Sequence, residues 1–183
     1  ATHPQVRWTF VFMHQPLWRA TASDDLAGWK PIEDALHGRP ATIFAGHEHT
    51  YEQSERKGHE YIMLATAGGG SRLEGPLYGL FDHIMWVTMT PAGPRYANIM
   101  LDGIAPKDIA TPATHAYAQE LERQVSISVE PLIGGATISG TLATTVLLRN
   151  DSVLTQQFTG TWQPHSALAL TPRTLRATLP PHT

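Results

Sequence analysis

Histidine offers this chain its richest chemistry. Ten histidines and no cysteine leave imidazole as the commonest metal-ligand type available. Two of them, His47 and His49, stand two residues apart in Gly46-His47-Glu48-His49-Thr50-Tyr51-Glu52. A third, His14, ends the run Arg7-Trp8-Thr9-Phe10-Val11-Phe12-Met13. If the backbone past Gly46 stays extended, side chains at i and i+2 share a face, with Cβ atoms about 6–7 Å apart. That gap suits two imidazoles converging on one metal, or one on each of two metals ~3.5–4 Å apart. The plainer alternative is a pair of solvated loop histidines.

Strands must carry these histidines to one place. Ala41-Thr42-Ile43-Phe44-Ala45 is short, apolar and contains a β-branched pair, so a buried strand is expected, stopped by Gly46. Arg7–Met13 is nearly continuous in apolarity, as in a central strand buried on both faces, and Pro16 cannot extend it. Between them, Thr21 to Gly28 reads as a loop with Asp24-Asp25 as a turn or cap. Trp29 to His37 reads as a short helix burying Ile32, Ala35 and Leu36, with Gly38 as its stop. Strand, helix, strand predicts parallel pairing, and ligands in open α/β sheets bind beyond the strand ends.

Further on, Lys57-Gly58 predicts a tight hairpin between Glu52–Arg56 and His59–Ala65. Gly68-Gly69-Gly70-Ser71 lacks the lysine and spacing of a phosphate-cradling loop and reads as a close-approach turn. His83–Thr90 and Arg95–Asp102 are expected as an antiparallel pair about a turn at Pro91–Pro94. The expected organisation is residues 1–108 as an α/β domain, 109–124 as a linker carrying a helix over Ala113–Gln124, and 125–183 as a partial β-sandwich. The last part is read from the alternating Val125–Val129, from Ala136–Arg149 and from Phe158–Trp162, with no closing strand after them.

Composition excludes several functions. Hydrophobic content of 42%, charged content of 16% and a net charge of −3 describe a globular protein without a nucleic-acid footprint or a basic lipid-binding run. No apolar run reaches the ~20 residues that span a bilayer. Without cysteine there is no disulfide, thiol nucleophile or Cys-ligated zinc. His47-Glu48-His49 is not the His-Glu-x-x-His of zinc proteases, and no Gly-x-Ser-x-Gly elbow is present. The chain opens Ala1-Thr2-His3-Pro4-Gln5 without methionine or a signal pattern, so it is expected to be the interior of a longer protein.

Val11-Phe12-Met13-His14-Gln15-Pro16 followed by Phe44-Ala45-Gly46-His47-Glu48-His49-Thr50-Tyr51-Glu52 resembles the last two of the five motifs of calcineurin-like metallophosphoesterases. That family includes purple acid phosphatases and phosphodiesterases. Phe81-Asp82-His83-Ile84-Met85-Trp86-Val87 also looks like the family's segment after the Gly-His-x-His motif, and the match covers roughly residues 6–102. The resemblance implies an α/β sandwich holding two metal ions (manganese, iron or zinc) at one edge. His14 and His47 would ligate one ion and His49 the other. Tyr51 is read either as reaching a phosphate oxygen or as an aromatic packed on the sheet edge, and Glu48 and Glu52 either as orienting the imidazoles or as ordinary surface carboxylates. A metal-activated hydroxide would attack a small-molecule, lipid or nucleotide phosphoester.

The family's Asp-x-His, Gly-Asp and Gly-Asn-His motifs precede the histidine matched by His14, and only thirteen residues do so here. The chain is therefore expected to be the C-terminal half of such an enzyme and inactive alone. The alternative is a non-catalytic metal-binding or structural fragment. Val125–Thr183 resembles part of an Ig-like module of secreted hydrolases, which leans the expected location toward periplasm or exterior. Trp8, Trp18, Trp29 and Trp86 are assigned to packing, and His83 to a half-buried strand position. The remaining histidines, His59 and His115 among them, are read as exposed.

Overall fold

The computed structural model describes residues 5–19, 23–131, 140–163 and 169–183, the side chains of 23–27 excepted. The described residues are mixed α/β, mostly strands in small sheets with two α-helices and no closed barrel. No described helix is long and apolar enough to cross a membrane. The chain divides into two compact units, Ala1–Ala118 and Gln119–Thr183.

The first unit is built on a four-stranded sheet, in the order β1 (Thr9–Phe12), β2 (Ala41–Ala45), β4 (His59–Met63), β3 (Glu52–Arg56). β1 and β2 pair in parallel, as the strand–helix–strand pattern predicts, and β2 also pairs in parallel with β4. The β3–β4 hairpin turns at Lys57-Gly58, both at positive φ (50° and 76°), which a two-residue turn matching strand twist requires. All five residues of β2 are buried because its two faces meet different layers. Ile43 and Tyr61 face helix α1 (Ser23–Leu36) through Trp29 and Leu36. Phe44 and Ile62 face a second, antiparallel sheet through Met85, Tyr96 and Met100. That sheet comprises β5 (His83–Thr90), β6 (Gly93–Met100) and β7 (Gly103–Pro106).

Four expectations need correction. Among the described residues β1 is an edge strand, paired with β2 alone, and Phe12 is 74% exposed, so the strand buried on both faces is β2. Helix α1 begins at Ser23 and includes Asp24-Asp25, while Thr21 and Ala22 lie outside the described residues. Its buried positions are Trp29, Glu33 and Leu36, spaced i, i+4, i+7, whereas Ile32 is 42% exposed. The buried stripe is thus rotated onto a carboxylate, which polarity alone would have placed outside. Trp86 is 58% exposed and belongs to no core.

The hairpin of β5 and β6 forms near its expected place, and β7 adds a third strand that was not expected. Helix α2 (Pro112–Gln124) starts one residue before its expected position. In the second unit, β8 (Val125–Val129) pairs antiparallel with β9 (Val146–Asn150), and β10 (Gln156–Thr161) with β11 (Thr174–Leu179). β9 is shorter than the strand read over Ala136–Arg149, whose residues 136–139 lie outside the described ones. β11, paired with β10, is a strand that the proline-rich end concealed. Buried Asn150 organises this unit: its Nδ2 donates to the carbonyls of Leu154 and Pro180 at 2.9 and 2.8 Å.

Candidate metal centre

The parallel ladder of β1 and β2 continues past the last regular strand residues. Met13 N donates to Phe44 O, and Gly46 N donates to His14 O, both at 3.0 Å. This registration sets His14 beside His47 at the carboxyl ends of the two strands. Their rings meet edge to face, with centroids 4.9 Å apart, and His14 Nε2 lies 3.1 Å from His47 Nδ1. One of the two nitrogens donates and the other accepts. Both residues are exposed.

The backbone beyond Gly46 is not extended. His47 and His49 have φ of 73° and 55°, the left-handed region that costs a residue with a Cβ roughly 1–2 kcal/mol. The i, i+2 expectation therefore fails, and each ring is aimed by its own turn. His49 Nδ1 lies 2.7 Å from Gly70 O. A carbonyl only accepts, so Nδ1 carries the proton, and the neutral ring keeps the Nε2 lone pair for another partner. Strain of this kind persists where surrounding structure over-determines it, and it concentrates at functional sites.

The structure therefore brings His14 and His47 together and sends His49 to the glycine turn. Among the described residues no three His, Asp or Glu side chains form a group arranged to hold a metal. Tyr51 is fully buried, and its hydroxyl donates to Lys107 O rather than to anything at the surface. Its backbone is fixed as well, since Tyr51 N donates to Gly79 O at 2.7 Å. A Cβ on Gly79, at φ 68°, would fall 2.3 Å from Tyr51 O, so this support needs glycine. The role of phosphate donor is thus corrected by burial.

The two glutamates of the motif find other partners. Glu48 pairs with Arg19 at 2.9 Å on the surface. Glu52 accepts from His115 Nδ1 at 3.0 Å. Neither carboxylate contacts His14, His47 or His49. His115 and His59, read as exposed, are mostly buried, and among the described residues His115 Nε2 and His59 Nδ1 have no hydrogen-bond partner. His83 is held on both sides: Nδ1 meets Asn98 Oδ1 at 2.8 Å, and Nε2 accepts from Ala65 N at 3.2 Å. Burial lowers its basicity, against smaller opposing effects of Asn98 and Asp82.

Sequence reasoning missed the Gly70 carbonyl as the partner of His49. The run of glycines was the signal, since close backbone approach is one of the few reasons to keep three in a row. A cavity of about 650 Å³ opens at the other end of the sheet, beside Trp8, Arg39, Lys57, His59 and Lys107. Its lysines are already matched, Lys57 by Glu33 and Lys107 by Glu60. An apolar groove of about 410 Å³ lies along Phe10, Phe12, Phe44, Ile84 and Met85.

No protein-family model, curated protein or solved structure matches this chain.

Proposed function

We propose that this chain supplies one side of the metal centre of a phosphoester hydrolase of the calcineurin-like metallophosphoesterase kind. The observation that carries the reading is the His14–His47 pair. Two imidazole nitrogens bound tetrahedrally to one ion at ~2.0–2.1 Å are about 3.3–3.4 Å apart. His14 Nε2 and His47 Nδ1 stand 3.1 Å apart, a few tenths of an ångström from that spacing, and an ion bound by both would displace the proton they share. The donor set, imidazole nitrogens on a solvent-facing edge, fits a first-row divalent ion. His49 presents a third nitrogen, Nε2, from a ring whose proton is already placed.

When bound, the ions would lower the pKa of a water and offset phosphate charge. The chain's own residues orient and hold. The β1–β2 ladder fixes the His14 and His47 backbones, and Gly70 O sets the protonation of His49. The described residues supply nitrogen donors and no carboxylate that bridges two ions, so a dinuclear site of this kind needs further ligands.

Cobalt(II) titration of the 183-residue chain, followed by visible absorption, tests the metal reading. Binding is expected, and His14→Ala or His47→Ala each weakens it by tenfold or more. Equal affinity in the double variant would overturn the reading. Hydrolysis belongs to the longest chain that the reading frame encodes, with bis(p-nitrophenyl) phosphate and p-nitrophenyl phosphate as probes. Metal binding that depends on these histidines, without turnover by that chain, would favour the non-catalytic alternative.

A further inference from the structure

We propose that Asp82 is a positioning residue for His49, clamping the glycine turn whose carbonyl orients the ring with its Nε2 free. The proposal rests on reading His49 as a metal-facing residue, and it adds the device that aims it. Asp82 Oδ1 accepts two hydrogen bonds, from Thr66 Oγ1 at 2.6 Å and from Gly68 N at 2.9 Å. Two residues on, Gly70 O accepts from His49 Nδ1 at 2.7 Å. Among the described residues no other hydrogen bond reaches Gly68, Gly69 or Gly70. Three consecutive glycines have the widest conformational choice a chain can have, so one tether decides where the Gly70 carbonyl points.

The tether is anchored in the core. His83 N donates to Thr66 O at 2.9 Å, and the His83 ring is fixed by Ala65 and Asn98. The bonds from Thr66 and then Gly68 hold the Asp82 carboxyl below the usual carboxylate range, which keeps it an acceptor at neutral pH. Without the Gly70 acceptor, an exposed imidazole exchanges between its two tautomers.

Long-range nitrogen–proton NMR of the imidazoles, on the 183-residue chain above the histidine titration, reads this directly. Wild-type His49 is expected as the Nδ1–H tautomer. Asp82→Ala is expected to give a tautomer mixture, and Thr66→Val a smaller change in the same direction. Asp82→Asn, whose Oδ1 still accepts, restores the wild-type signal. His83 serves as the internal control, because Asn98 and Ala65 also fix it as Nδ1–H. His49 unchanged in Asp82→Ala, with the His83 signal intact, overturns the proposal. If Asp82→Ala loses the His83 signal too, Thr66→Val decides, and an unchanged His49 there is equally fatal. Cobalt(II) affinity is expected to fall about tenfold in Asp82→Ala. A tautomer change in a chain whose wild type binds no cobalt supports the clamp and overturns the metal reading.

Discussion

Two ends of one sheet treat charged and basic side chains in opposite ways. At the hairpin end, Glu33 is 3% exposed and over-determined. Arg56 Nε and Tyr61 Oη donate to its Oε1 at 2.7 and 2.9 Å, and Lys57 Nζ donates to Oε2 at 2.6 Å. At the other end, His14, His47 and His49 are exposed, two of them on left-handed backbone, with one hydrogen bond apiece. The first arrangement spends every lone pair on holding α1 to the hairpin. The second leaves donor nitrogens open at a cost in backbone energy. Glu33, which serves the fold, is saturated, whereas the histidines at the other end are held but not used up.

Glu33→Ala gives the largest effect this contrast implies, a loss of roughly 2–3 kcal/mol in denaturant unfolding. That falls below the ~3–5 kcal/mol typical of a fully buried pair, because Arg56 and Lys57 are 41% and 52% exposed and can turn to water. Tyr61 cannot, and its hydroxyl is left unpartnered. Cobalt(II) binding should survive among the folded molecules. A change in stability within ~0.5 kcal/mol would show that the knot does not hold the helix.

Acid sharpens the same distinction. Burial pushes the Glu33 carboxyl up, but the bonds from Arg56, Lys57 and Tyr61 outweigh it and bring it down to about 2 from 4.5. A carboxylate depressed by folding binds fewer protons in the native state. Its contribution is therefore complete above about pH 4.5 and is lost as pH falls toward 2. His83 acts in a higher window. Burial disfavours its charged form, so its contribution is complete above the ordinary 6.5 and shrinks as pH falls below it. Unfolding free energy measured against pH should fall in two stages, and Glu33→Gln should shrink only the lower one. A curve unchanged in Glu33→Gln would remove Glu33 from the acid response.

The local features were legible wherever one rule decided them. Alternation placed β8 over Val125–Val129, the pair Lys57-Gly58 placed the hairpin, and Gly46 marked the end of β2. The His14–His47 approach was legible because parallel pairing is implied by strand–helix–strand order. The rest was hidden by tertiary context. Nothing around Glu33 says that Arg56, Lys57 and Tyr61 will converge on it from 23 to 28 residues away. Tyr51 was open to phosphate contact or to packing, and only the layer carrying Phe81 and His83, which covers it, decides for packing. The left-handed turns at His47 and His49 were illegible for a sharper reason: histidine is not the residue that such a backbone prefers.

That last mismatch supplies the smallest effect and the most discriminating one. Glycine adopts positive φ without a Cβ penalty, whereas histidine at the same φ carries about 1–2 kcal/mol of strain. Against that gain stands the extra freedom glycine has when unfolded, roughly 0.4–1 kcal/mol. His47→Gly should therefore leave thermal stability unchanged or raise it by up to about 1 kcal/mol, and His49→Gly likewise, less the Gly70 bond. Both should lose cobalt(II) affinity. A site that becomes more stable as it loses its ligand is one where the fold bears a cost for function. If His47→Gly instead destabilises by more than about 1 kcal/mol, the imidazole belongs with Glu33 among the groups that hold the structure, and the contrast between the two ends of the sheet collapses.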